Sequence, residues 1–288
     1  MRSTFINHPI WGLCFLSLIL ACKPMGPPAF DLETYLRQQD GTIAKVLHDP
    51  AKFRIQISYI QVDRDSGGKP HFTPHTYRLS AAEYFYPAST VKLPAALLSL
   101  QKLALLHQEG LDRDTPMLTD SLGRTSGVYA DSSSANGLPS IGHYIRKIFL
   151  VSDNDAFNRL YEFLGQGPFN SELKRMGFED VRITHRLSIA LSEDENRHTN
   201  AVKFGESGDL YQQSDRINRD PFAWPERILI GEGELQGDRI VSGPKDFTRK
   251  NSFPLTTQQE ILRRFIFPET VLPPQRFVIS ETDRQFAL

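Results

Sequence analysis

The chain has 288 residues, 33 basic and 34 acidic side chains, a formal charge of −1 and a 40% hydrophobic share. That length builds one large domain or two small ones. The even charge balance points to no nucleic-acid or anionic-surface partner, and aromatics spread along the chain exclude a disordered protein.

The N-terminus reads as a targeting segment. Arg2 supplies a positive start, and Ile10 to Ala21 is an apolar run too short for a membrane span. It ends in Ile19-Leu20-Ala21-Cys22, which resembles a bacterial lipobox, cut before the cysteine and lipidated on it. The expectation is a signal peptide over 1–21, a Pro/Gly-rich tether over 22–30, and one domain over 31–288. Cys22 is the lipid anchor, and the protein faces the periplasm. Lys23 in place of an aspartate leaves no inner-membrane retention signal, so the outer membrane is the expected anchor site in a Gram-negative cell. The other cysteine, Cys14, leaves with the signal peptide, so the folded part has no disulfide.

Further along, Asp31 to Leu47 has helical apolar spacing with a break near Gly41. Phe53 to Val62 alternates as a strand, Asp63 to Lys69 is a turn, and a second strand lies near His75 to Leu79. Thr90 to His107 is apolar nearly all round and reads as a buried helix. Thr119 to Leu138 is irregular. Helices follow over Ile141 to Val151, capped by Ser140, over Asp155 to Leu164 and over Phe169 to Met176, with a short extended piece at Asp180 to Thr184. Ile189 to Asn218 is polar and aperiodic. Ile228 to Ile230 and Arg239 to Val241 pair as a hairpin around Gly231-Glu232-Gly233. Thr256 to Phe267 is a helix stopped by Pro268, and Arg276 to Ser280 is strand-like. His71 and His75 share a helical ligand spacing, but Pro74 between them argues for loop residues and no metal; no cofactor is expected.

Two short motifs carry chemistry, each at a helix start: Ser89-Thr90-Val91-Lys92 and Ser152-Asp153-Asn154. Ser89 and Lys92 stand one turn apart on one helix face. A serine needs a base to take its proton, and a lysine serves when burial lowers its pKa. The second motif adds a hydroxyl and an amide. On its own it also fits a capping box from Ser152 to Asp155.

Tyr86 to Pro94 (YPASTVKLP) resembles the active-site segment of class A β-lactamases and the related penicillin-binding proteins. Ser152-Asp153-Asn154 lies 63 positions after Ser89, similar to the family's separation. The resemblance implies Ser89 as nucleophile, Lys92 as its base and Ser152 as proton shuttle to the leaving nitrogen. It implies Asn154 as a hydrogen-bond partner of substrate amide and Lys92, and Asp153 as a structural support. The Ser89 N–H would form half of an oxyanion hole. The implied fold is α+β, in three layers: a mostly antiparallel sheet flanked by helices, with N-terminal strands beside C-terminal ones, plus a helical subdomain.

The sequence departs from the family in two places. His185 to Asn196 lacks the Glu-Pro-x-Leu-Asn pattern of the deacylating loop; Glu193 or Glu195, with Asn196, are candidate bases, the alternative being solvated surface acids. No Lys-Thr-Gly or Lys-Ser-Gly follows Ser152. The expected function is therefore a serine hydrolase acting on β-lactams. The alternatives are a D,D-peptidase or transpeptidase acting on peptidoglycan peptide, and a non-catalytic lipoprotein that keeps the fold. Competing with any activity is the expectation that the sheet lacks its C-terminal strands and that the chain is a fragment, poorly soluble and inactive.

Overall fold

A computed structural model describes residues 30–288. The expected signal peptide, the Cys22 anchor and nearly all of the tether lie outside the described residues. The chain divides into two compact units, the first ending at His48 and the second spanning Asp49–Leu288. In the first, α1 (Leu32–Arg37) is capped by Asp31, whose side chain accepts from the Thr34 N–H, and α2 (Gly41–His48) follows. The expected break at Gly41 is present, at φ +60°.

The second unit begins with an antiparallel hairpin, β1 (Ile57–Arg64) and β2 (Pro70–Tyr77), in register from Ile57 opposite Tyr77 to Arg64 opposite Pro70. Asp65 fixes the turn by accepting from the N–H groups of Gly67 and Lys69. His71 and His75 therefore lie on a strand and not in a loop, and His75 stacks on Tyr59.

A 3-10 turn (Ala88–Val91) leads into α3 (Lys92–Leu106). This helix is buried on nearly every side. Ala96, Leu97 and Leu100 have no exposed surface, each such leucine contributing about 1.5–3 kcal/mol by leaving water. After β3 (Met117–Thr119) come α4 (Ile141–Val151), α5 (Asn154–Leu164) and α6 (Gln166–Arg175). Helix α4 buries Ile141, Tyr144, Ile145 and Ile148, one stripe at helical spacing. Its cap is Ser140, whose Oγ accepts from the His143 N–H at 3.1 Å. Helix α3 packs against α4 and α5, and this helical pack holds the core.

The aperiodic stretch contains α7 (Glu193–Arg197) and short strands β4 (His198–Thr199), β5 (Val202–Phe204), β6 (Tyr211–Gln213) and β7 (Arg216–Ile217). Strands β3, β5 and β6 form a three-stranded antiparallel sheet, while β4 pairs with β7. A ribbon follows, from β8 (Leu229–Ile230), β9 (Gly233–Gln236), β10 (Arg239–Ser242) and β11 (Lys245–Asp246), in which β9 pairs with β10 and β8 with β11. The expected hairpin is thus corrected. Its turn is the two-residue Gly237-Asp238, with Gly237 at φ +60°, and Arg239 faces Gln236. Helix α8 (Leu255–Ile266) and α9 (Glu281–Ala287) end the chain.

The expected layered sheet is absent among the described residues. Strand β1 pairs with β2 alone, and α8 lies against it, the Ser58 hydroxyl donating to the Gln259 side chain. The exposed ribbon does not pack an apolar face against a sheet layer: Leu235 and Ile240, opposite each other, are 71% and 78% exposed. Arg276 to Ser280 is not a strand. Phe277 packs into the core, but the Val278 N–H donates to the Gln101 side chain at 2.8 Å instead of to a ladder, and Ser280 caps α9.

Candidate active site

The segment before Ser89 is clamped from both sides. The Tyr84 hydroxyl donates to the Asn251 carbonyl at 2.6 Å, and the Phe253 N–H donates to the Phe85 carbonyl at 3.1 Å. Tyr86 packs on Phe247 and stacks on His185. Ala88 then adopts φ +46°, a left-handed conformation that costs about 1–3 kcal/mol in a non-glycine residue. That turn sets Ser89 in the 3-10 segment, where early N–H groups point out of the helix end.

Lys92, the first residue of α3, is 2% exposed. Its Nζ lies 3.1 Å from Ser89 Oγ, 2.9 Å from Ser152 Oγ and 2.8 Å from Asn154 Oδ1, and it also donates to the Ser152 carbonyl. Ser152 Oγ donates to Ser89 Oγ at 3.0 Å. The four predicted residues thus meet around one nitrogen. Burial lowers the Lys92 pKa, partly opposed by the negative charge of Asp153. No carboxylate forms an ion pair with Lys92 among the described residues. A neutral amine suits the arrangement. In that form its two N–H groups would serve the Ser152 and Asn154 carbonyl oxygens and leave its lone pair for a serine hydroxyl proton.

Three local features assemble this cluster. Ser152 closes α4 at φ +55°, which turns both its hydroxyl and its carbonyl toward Lys92. Asp153 caps α5 through the Ala156 N–H at 2.8 Å and lies 3.6 Å from Lys147, the structural place expected of it. Asn154 opens α5. Its Oδ1 takes the lysine and its Nδ2 donates to Ser188 Oγ at 2.6 Å, so both ends of the amide are fixed. Ser188, itself at φ +55°, was not foreseen. It sits in an aperiodic stretch and its partner is 34 residues away.

Ser89, Lys92 and Ser152 line an open cleft of about 570 Å3. Its walls are Leu93, Ile148 and Phe149 on one side and Phe253, Leu255, Gln258, Gln259 and Leu262 on the other. Helix α8 was legible as a helix, but nothing in its sequence marked it as a cleft wall.

Glu193 and Glu195 do not line this cleft. Glu195 belongs to a capping box at the start of α7. Its carboxylate accepts from the Ser192 N–H at 2.7 Å, which holds its pKa below the usual range, and lies 3.5 Å from Arg124. Glu193 pairs with Arg197 at 3.1 Å and Arg249 at 3.2 Å. Asn196 is buried and serves the backbone, accepting from the Arg186 N–H. His185 is part of the scaffold. Its Nδ1–H donates to the Arg186 carbonyl at 2.6 Å, and its Nε2 accepts from the Asn251 N–H at 3.3 Å.

The model of the β-lactamase enzyme family matches residues 42–213, more than half of the chain and both motifs. The chain belongs to that family. Residues 214–288, including the ribbon and α8, lie beyond the match. Comparison with curated proteins and with solved structures gives no match.

Proposed function

We propose that the protein is a serine hydrolase that opens β-lactams through an acyl-enzyme on Ser89. Neutral Lys92 takes the Ser89 hydroxyl proton as Ser89 Oγ bonds to the lactam carbonyl carbon. The ring C–N bond then breaks, and the departing nitrogen takes a proton from Ser152 Oγ, which Lys92 Nζ replaces. The carrying observation is one buried nitrogen within hydrogen-bond reach of both serine hydroxyls. The family membership supports the same class of reaction. The test is intact-mass labelling with a fluorescent penicillin. One adduct is expected on the wild type and none on Ser89→Ala; labelling that persists in the variant removes Ser89 from this role.

A second reading, a penicillin-binding D,D-peptidase, is favoured by one observation: Glu193 and Glu195 are held by a cap and by arginines, outside the cleft. A burst of labelling without turnover of a chromogenic cephalosporin would select it, whereas steady hydrolysis would select the β-lactamase. The lipid anchor at Cys22 belongs to the proposal too: Cys22→Ser should move the protein from membranes to the soluble periplasm, and an unacylated, soluble wild type would overturn it.

A further inference from the structure

Ten residues beyond Lys92, about 15 Å along the axis of α3, the same helix carries a second inward lysine. Lys102 lines a separate cavity of about 230 Å3 whose walls are largely apolar, among them Leu98, Leu105, Leu164 and Phe169. That is room for roughly eight water-sized groups. Its Nζ donates to the Phe163 carbonyl and to Gln213 Oε1, and lies 4.0 Å from the centre of the Phe163 ring. No third oxygen receives its remaining N–H among the described residues. Arg216, on β7, lines the same cavity, is exposed, and its guanidinium meets no carboxylate among the described residues. The one acid in the lining, Glu172, is engaged elsewhere, by Gln101 at 2.6 Å and by Arg175 at 2.6 Å.

Two basic side chains without a carboxylate partner among the described residues thus border one small, largely apolar cavity. Burial and the nearby Arg216 charge lower the Lys102 pKa to about 7. A carboxylate placed between them relieves the repulsion and meets the spare donors, while the apolar walls take a short hydrocarbon body. We propose that this cavity is a binding site for a small apolar monocarboxylate, held by Lys102 and Arg216.

The site has a thermodynamic signature. A bound carboxylate favours the charged lysine, so binding near pH 7 takes up a proton, and affinity falls as pH rises above 7. The experiment is isothermal titration of the full chain with octanoate and with octanamide, in two buffers of unequal ionisation heat. Octanoate should bind with a Kd of about a millimolar or tighter, with proton uptake. Octanamide should bind at least about tenfold more weakly. Arg216→Ala, at an exposed position, and Lys102→Met should each weaken octanoate by about tenfold and leave octanamide unchanged. Penicillin labelling of Arg216→Ala at the wild-type level shows that the variant is folded. Equal affinities for the two probes, unaltered octanoate binding in Arg216→Ala, or no heat at about 10 mM octanoate overturns the proposal.

Discussion

Replacing Arg186 with methionine tests what holds the loop that carries Ser188. Arg186 and Glu162 form an ion pair at 2.6 Å with side chains 2% and 1% exposed. The guanidinium also donates to the His198 carbonyl at 2.7 Å and the Glu195 carbonyl at 3.3 Å, and lies over the Tyr161 ring. The second Glu162 oxygen accepts from the Asn200 N–H. Arg186→Met keeps the side-chain stem and removes the charge, leaving a buried carboxylate without its counter-charge and two carbonyls without the guanidinium donor. Removing one partner of a buried pair costs about 3–5 kcal/mol, against about 5–15 kcal/mol for a whole domain. We expect Arg186→Met to lose about 4 kcal/mol in urea unfolding followed by Trp224 fluorescence. The double variant Glu162→Leu/Arg186→Met should recover at least about 2 kcal/mol of that, since no charge is then stranded. A loss below about 1 kcal/mol in the single variant, or no recovery in the double, would refute the claim that this pair anchors the loop.

Lys92→Met should slow penicillin labelling of Ser89 by about 10^2- to 10^4-fold, the ordinary worth of a positioned base; labelling at the wild-type rate would mean that another group takes the serine proton. Labelling of the wild type should speed up as pH rises through the lowered Lys92 pKa, because only the neutral amine accepts a proton. His185 supplies a stability test. Its folded-state pKa is lowered, chiefly by burial, so below the unfolded value of 6.5 the unfolded chain binds more protons. Stability should therefore fall as pH drops through that point, and His185→Gln should flatten this part of the profile; an unchanged slope would mean that His185 is not held neutral.

The side chains that meet around Lys92 were legible because their signals are local. Ser89 and Lys92 are one turn apart, and Ser152 to Asn154 are consecutive, each run beside a strongly apolar helix. The loop from His185 to Thr199 was opaque for the opposite reason. Ser188 meets Asn154 34 residues back and Arg186 meets Glu162 24 residues back, while Asn196 serves backbone groups of its own loop, and no period records such pairings. The ribbon misled differently. Gly231 and Gly233 look like a hairpin turn, yet the turn with two central residues is Gly237-Asp238, and two glycine-containing stretches so close together give sequence alone no means of choosing. Arg276 to Ser280 has the short apolar, β-branched run of a strand, but such a run reports burial and not a paired backbone; Gln101 satisfies the Val278 N–H that a neighbouring strand would have taken.

The left-handed backbone at Ser152 narrows which residues evolution can try there. The proposed proton transfer asks for a hydroxyl, and threonine and serine both offer one. At φ +55° a β-branched side chain collides with its own backbone, while serine, asparagine and glycine are tolerated far better. Threonine is thus barred by geometry although its oxygen would suit. Of the conformationally tolerated residues, glycine brings no side-chain group and asparagine brings an amide in place of the hydroxyl. A lineage that loses Ser152 pays a conformational cost to step through its nearest chemical relative, so drift at this position leads away from the proposed proton transfer and toward a site that keeps its shape without it.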